Sequence, residues 1–248
     1  MCCFAGPVSD VSSTNIFARV SGDREHLVYE MTFSSDDQTA MILPIPTASE
    51  AADEAVEFVA LDNYPDFFRD LERHFQQVWA IAKTLGGGPP SASFKVHYVG
   101  AFEASFVPRM DQFDRLDSRF RISRDVWNQL PGYESFGFVV FKLQPGKQVS
   151  VHPMAFSFRT RDPGTLFFPT VHIHDGMLHE EANFDHIFYT QNEPRRRAPP
   201  IAFWMPSRKA ASRYLRVPRT HGLVDGDAPC FQAYLGGSWR NSDILVPI

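Results

Sequence analysis

Proline and glycine punctuate this chain so closely that only short elements fit between them. The 19 Pro and 15 Gly break helices and end ladders, since proline lacks a backbone donor and glycine loses the most backbone freedom on folding. Between them lie apolar or alternating runs of strand length, over 15–20, 27–33, 40–46, 136–143, 149–159, 165–174 and 184–190. Residues 64–81 differ: Phe67, Phe68, Leu71, Phe75 and Val78 recur at helical spacing, and the acidic 52–61 reads as a second helix before them. Residues 94–98 and 101–107 read as a hairpin around Gly100, Ser123 as the N-cap of a short helix over 123–129, 209–215 as another short helix, and 236–241 as a turn. The expected fold is α+β, a predominantly antiparallel sheet with an early helical pair and a turn-rich C-terminal region. One domain over 1–248 is expected, with the Gly/Pro stretch 86–90 as its only candidate division.

A chain of 248 residues buries a sizeable core, and its 23 Phe are expected to fill that core. The net charge of -5 argues against a dedicated nucleic-acid binder. No apolar run is long enough for a membrane span, so no membrane partner is expected. The amino terminus has neither a basic start nor an apolar h-region. Cys2, Cys3 and Cys230 cannot form a disulfide framework, and reduced thiols point to the cytoplasm.

The histidines carry the strongest chemical signal. His172, His174, His179 and His186 fall within fifteen residues, and His152 lies one expected strand earlier. In an extended segment residues two apart share a face, so His172 and His174 project together while Ile173 points to the core. Two neutral imidazoles on one face begin a site for zinc, copper or iron, which His152, His179 or His186 would complete. Asp175, Glu180, Glu181 and Asp185 supply nearby carboxylates. The spacing resembles the opening of the cupin metal motif, but Glu180 follows at a longer gap and the later cupin elements are absent, so no cupin is assigned. In a hydrolytic version the metal lowers the pKa of bound water and Asp175 or Glu180 acts as base. In a redox version the same histidines hold copper or iron beside Cys2 and Cys3.

A second constellation is Cys2. If Met1 is removed, its α-amine becomes a built-in base for its thiol. Met1-Cys2-Cys3-Phe4-Ala5 resembles the start of N-terminal hydrolases and class II glutamine amidotransferases, though no Arg-x-x-Thr-x-Gly segment follows.

The early Cys, Asn15-Ile16-Phe17-Ala18, Val28-Tyr29-Glu30-Met31 and Ala40-Met41-Ile42-Leu43-Pro44-Ile45-Pro46 together resemble the amino-terminal part of a family of uncharacterised bacterial proteins. The resemblance covers about a fifth of the chain. It implies a bacterial source and no activity. The function expected is therefore that of a metal-binding protein, a metal-dependent enzyme acting on a small-molecule or peptide substrate. The alternatives are a metal-free N-terminal-Cys amidohydrolase and a non-enzymatic binding or assembly protein.

Overall fold

In the computed structural model the described residues are 3–48, 55–83, 98–99, 103–195, 200–201 and 203–248. The first half runs β1 (Cys3–Phe4), β2 (Asp10–Ser21), β3 (Arg24–Ser35), β4 (Thr39–Ile45), β5 (Val56–Val59), α1 (Phe67–Lys83), β6 (Tyr98–Val99) and β7 (Glu103–Val107). After short 3-10 turns come α2 (Arg124–Trp127), β8 (Gly137–Leu143), β9 (Gly146–Val151), β10 (Met154–Arg159), β11 (Thr165–Phe168) and β12 (Glu181–Thr190). β13 (Met205–Ala210), β14 (Pro229–Arg240) and β15 (Ile244–Pro247) complete the chain.

Two sheets dominate. The larger orders its strands β13-β14-β12-β2-β3-β10-β5, with β9 also on β3 and β6 on β9. The smaller is β1-β4-β8-β7, and β11 pairs with β15 separately. Pairing is antiparallel except for β12 against β2 and β6 against β9.

Three apolar clusters stack the layers. Tyr29, Phe33 and Phe156 of the large sheet meet Met41, Leu43 and Phe141 of the small one. On the far side of the large sheet, Phe17, Val28 and Tyr189 meet Phe67, Phe68, Leu71 and Phe75 of α1. On the far side of the small sheet, Ile42, Phe138 and Val140 lie under Phe113, Phe120, Trp127 and Tyr133. Strands covered on both faces need no polar alternation, and that accounts for the continuous apolar runs of β4 and β8. Each large side chain so buried contributes about 1.5–3 kcal/mol. Pro44 sits inside β4, opposite Phe138, without breaking the sheet. On its other side β1 pairs only with Met41 and Ile42, so the missing donor falls where β4 is already an edge.

The α+β expectation is corrected: the fold is mostly β, with one long helix rather than an early pair. Residues 56–59 of the acidic stretch form β5 on the edge of the large sheet against β10, while 52–54 lie outside the described residues. Sheet pairing outweighed helix propensity there. Residues 209–215 divide between β13 and a 3-10 turn, and 236–241 continue β14 rather than turning. The C-terminal region is therefore stranded. Of the hairpin expected around Gly100, residues 94–97 and 100–102 lie outside the described residues; β6 joins β9 and β7 joins β8, in different sheets. Ser123 precedes α2 without a side-chain cap. The Gly/Pro stretch 86–90 lies outside the described residues, yet β4 pairs with β8, and β3 with β9 and β10, from opposite sides of it. Among the described residues no helix is long and apolar enough to cross a membrane.

Candidate functional site

The histidine-bearing segment follows β11 but is not a regular strand. Its backbone groups are taken up by side chains. Asp243 Oδ1 accepts from the amides of Thr170 and Val171, at 2.8 and 3.2 Å. Asn241 Oδ1 accepts from His172 N–H at 2.7 Å, while its Nδ2 donates to the carbonyls of His172 and His179. On the other edge lies the amino-terminal strand: Cys3 bridges Ile173 in parallel, and Phe4 N–H donates to the Ile173 carbonyl at 2.9 Å. An extended segment clamped on both edges alternates its side chains. Ile173 therefore enters the cluster beneath the small sheet, and His172 and His174 share the opposite face.

On that face three imidazoles form a stack. The His172 ring lies 5.4 Å from His174 at 12° on one side and 5.4 Å from His186 at 13° on the other. Phe184 packs on His172 and His186, Phe188 on His186, and Phe4 meets the His174 edge. Desolvation by these aromatics pushes the His174 pKa down to about 4, and drives His172 and His186 well below the ordinary imidazole value. All three are neutral at physiological pH. The Nε2 atoms of His172 and His174 are buried without a hydrogen-bond partner among the described residues. Asp185 N–H donates to His186 Nδ1 at 3.2 Å, and Asp185 Oδ2 accepts from the amide of Ser13, a left-handed residue (φ 54) at a bulge in β2.

This arrangement packs; it does not coordinate. The three rings are near-parallel with neighbouring centroids 5.4 Å apart, packed among Phe4, Phe184 and Phe188. Among the described residues no group of three or more His, Cys, Asp or Glu is arranged to hold a metal ion. The expected His-x-His metal centre, and the metal-dependent enzyme built on it, are corrected accordingly. His152 lies apart between β9 and β10, its Nδ1 at 3.1 Å from the Pro153 carbonyl. His179 is exposed and pairs with Asp175, Nε2 to Oδ2 at 2.8 Å, while Asp175 Oδ1 accepts from Met177 N–H. Glu180 is exposed and contributes its carbonyl to Asn241 N–H. Cys2 lies outside the described residues, so the amidohydrolase reading gains nothing from the structure. Its neighbour Cys3 is buried, with its thiol directed at the Val171 carbonyl on the face opposite the histidines.

Sequence reading missed the residues that hold this segment. Asn241 and Asp243 stand in Asn-Ser-Asp immediately after β14, a composition that signals side-chain capture of backbone groups. Asp243 is half-buried, and desolvation raises its carboxyl to about 6, offset by the Tyr133 hydroxyl and the two amides.

No family model matches this sequence, and no curated protein matches it. Solved structures do. The chain aligns with the crystal structure of baculovirus p35 over 99% of both chains, at 12% identity and a TM-score of 0.54. It aligns with a mutated baculovirus p35 after caspase cleavage over 95% of this chain and 99% of that one, at 14% identity and 0.50. For the caspase-8/p35 complex the coverage is 95% and 96%, the identity 11% and the TM-score 0.44, too low to argue from. The first two establish a shared fold. They leave the amino-terminal resemblance to a bacterial family untouched. The expected small-molecule or peptide substrate is corrected too: the fold is shared with p35, and what one p35 structure records of that protein is cleavage by a caspase, a protein.

Proposed function

We propose that this chain is a protein-engaging module that meets a caspase-type protease and is cut by it, as the mutated baculovirus p35 has been in its caspase-cleaved structure. The observation that carries the reading is the end-to-end match of fold, over 99% of each chain. The chemistry of the described residues supports it. Their stacked histidine cluster is neutral, buried and locked by its neighbours, which suits a scaffold rather than a reaction centre. The depression lined by Ser9, Ser34, Ser35, Asp36, Lys147 and Gln148 is open and polar, unlike an enclosed substrate pocket. Cys230 is a free thiol, in keeping with a reducing compartment, and the setting proposed is the cytoplasm.

The test is incubation of the purified chain with a panel of purified caspases. Complex formation is followed by native mass spectrometry and cleavage by intact mass, with fragment masses assigning the cut bond. Residual activity on a reporter peptide shows whether engagement silences the protease. A discrete cut or a stoichiometric complex with at least one protease is expected. An intact chain and no complex across the panel would sink the proposal.

A further inference from the structure

Residues 205–224 hold Arg208, Lys209, Arg213, Arg216 and Arg219 and no acidic side chain, in a chain whose net charge is -5. Four of the five are arginine, whose planar fork matches carboxylate bidentately. All five are exposed. Arg216 is engaged by Asp66 and Asp70 at the start of α1 and lies over the Tyr64 ring. Arg208, Lys209, Arg213 and Arg219 have no carboxylate partner among the described residues, and Arg219 donates to the Asn63 carbonyl.

The segment, β13 followed by two 3-10 turns, is fixed in place. Ala211 N–H and Ser212 N–H donate to the carbonyls of Ala228 and Gly226, and Arg216 N–H donates to the Tyr64 hydroxyl. Ala211, Leu215, Leu223 and Val224 are buried in the cluster under α1, and Tyr214 stacks on His74 at 3.8 Å and 3°. Arg19 reaches in from β2 to the carbonyls of Gly222 and Leu223, adding a further cation that no carboxylate among the described residues meets. Arg208 and His221 hold left-handed backbone, at φ 57 and 48. Neither is glycine, and such strain persists only where the surroundings over-determine it, often at binding sites. The cations are thus held in place on an anchored ledge beside α1.

We infer that this ledge binds a short acidic segment of a protein partner, arginine forks on carboxylates. The surroundings favour a short segment over an extended polyanion. Exposed Asp62 stands at the α1 side, and exposed Asp225 and Asp227 flank Gly226, whose carbonyl takes the Ser212 amide, so they border the ledge beside Arg213. A nucleic acid or a charged membrane surface running beyond the patch meets those carboxylates, whereas a few consecutive Asp and Glu side chains fit between them. The inference does not depend on protease engagement.

The probe is a fluorescent Asp-Glu repeat peptide, with a neutral peptide, single-stranded and duplex DNA, and anionic phosphatidylserine vesicles as comparators. The full chain is expected to bind the acidic peptide with an affinity that falls as salt is raised. Combined Arg208→Gln, Lys209→Gln and Arg213→Gln should weaken binding about ten-fold with an unchanged melting midpoint. Arg208→Lys with Arg213→Lys, which keeps charge but loses the fork, should fall between the two. Arg109→Gln with Arg115→Gln, on another surface, should bind like the parent. Undiminished binding by the triple variant overturns the inference, as does tighter binding of DNA or vesicles, or no peptide binding at low salt.

Discussion

Asn241 and His172 exchange two hydrogen bonds, the His172 amide to Oδ1 at 2.7 Å and Nδ2 to the His172 carbonyl at 2.9 Å. The carboxamide thus does for this segment what a neighbouring strand would do. With a second Nδ2 bond to the His179 carbonyl, one side chain satisfies three backbone groups of a segment that lacks a full ladder. Asn241→Ala should therefore destabilise the fold by about 2–3 kcal/mol, since buried amide and carbonyl groups lose their partners at once. Urea unfolding followed by Trp fluorescence measures it, and a change below about 0.5 kcal/mol would show that the clamp is not needed.

Acid should attack the histidine stack. The folded His174 pKa of about 4 lies below its unfolded value near 6.5, because burial disfavours the imidazolium. A depressed folded pKa gives stability that is full above about 6.5 and lost as pH falls toward about 4, amounting to up to about 3 kcal/mol. His174→Phe keeps an aromatic ring between Phe4 and His172 and has no proton to take up. The variant should match the parent near pH 7 to within about 1 kcal/mol and lose less stability at pH 4.5. Parallel pH curves for the two proteins would contradict this.

Much of both main sheets was legible from residue pattern. The runs that became β2, β3, β4, β8 and the core of β12 declare themselves by alternation or continuous apolarity, and Phe67, Phe68, Leu71 and Phe75 mark the buried face of α1. The shared face of His172 and His174 also follows from spacing alone. Other features were not legible, for physical reasons. Val56-Glu57-Phe58-Val59 is a strand only because β10 offers it an edge, and β14 extends through Gly236 and Gly237 because β12 pairs with it along its whole length. Whether three imidazoles converge on an ion or stack on one another depends on ring orientation, which sequence spacing does not encode. The acid-free cationic run over 205–224 was visible in the sequence, but its anchoring beside α1 required the fold.

Alkali should act on Glu30. This carboxyl is buried between β3 and α1, and desolvation, with Glu72 and Asp66 adding repulsion against Asn15 and Arg69, raises it to about 8. Between the unfolded value near 4.5 and about 8 the folded state keeps a proton that the unfolded state has released. Stability from this group therefore falls as pH rises through that window and stays reduced above it. Glu30→Gln should be close to neutral at pH 4.5 and more stable than the parent at pH 9 by about 2 kcal/mol or more. Thermal melts at the two pH values decide it; an equal difference at both would mean that Glu30 is already ionised in the fold.

The thiols offer a probe of the same packing. Cys3 and Cys230 are both fully buried, and desolvation pushes the Cys230 thiol up to about 12 despite the Tyr214 hydroxyl beside it. Thiolate is the reactive form, so neither group should be alkylated in the folded protein near neutral pH. Iodoacetamide labelling with peptide mass mapping should leave both residues unmodified in buffer and modify both in denaturant. Cys3 belongs to the strand that bridges Ile173, so its labelling rate also reports opening of that strand. In Asn241→Ala, where the opposite edge of the same segment is released, Cys3 should label faster than in the parent while Cys230, buried in the cluster under α1, does not. Equal acceleration at both cysteines would instead indicate that the fold opens as a whole.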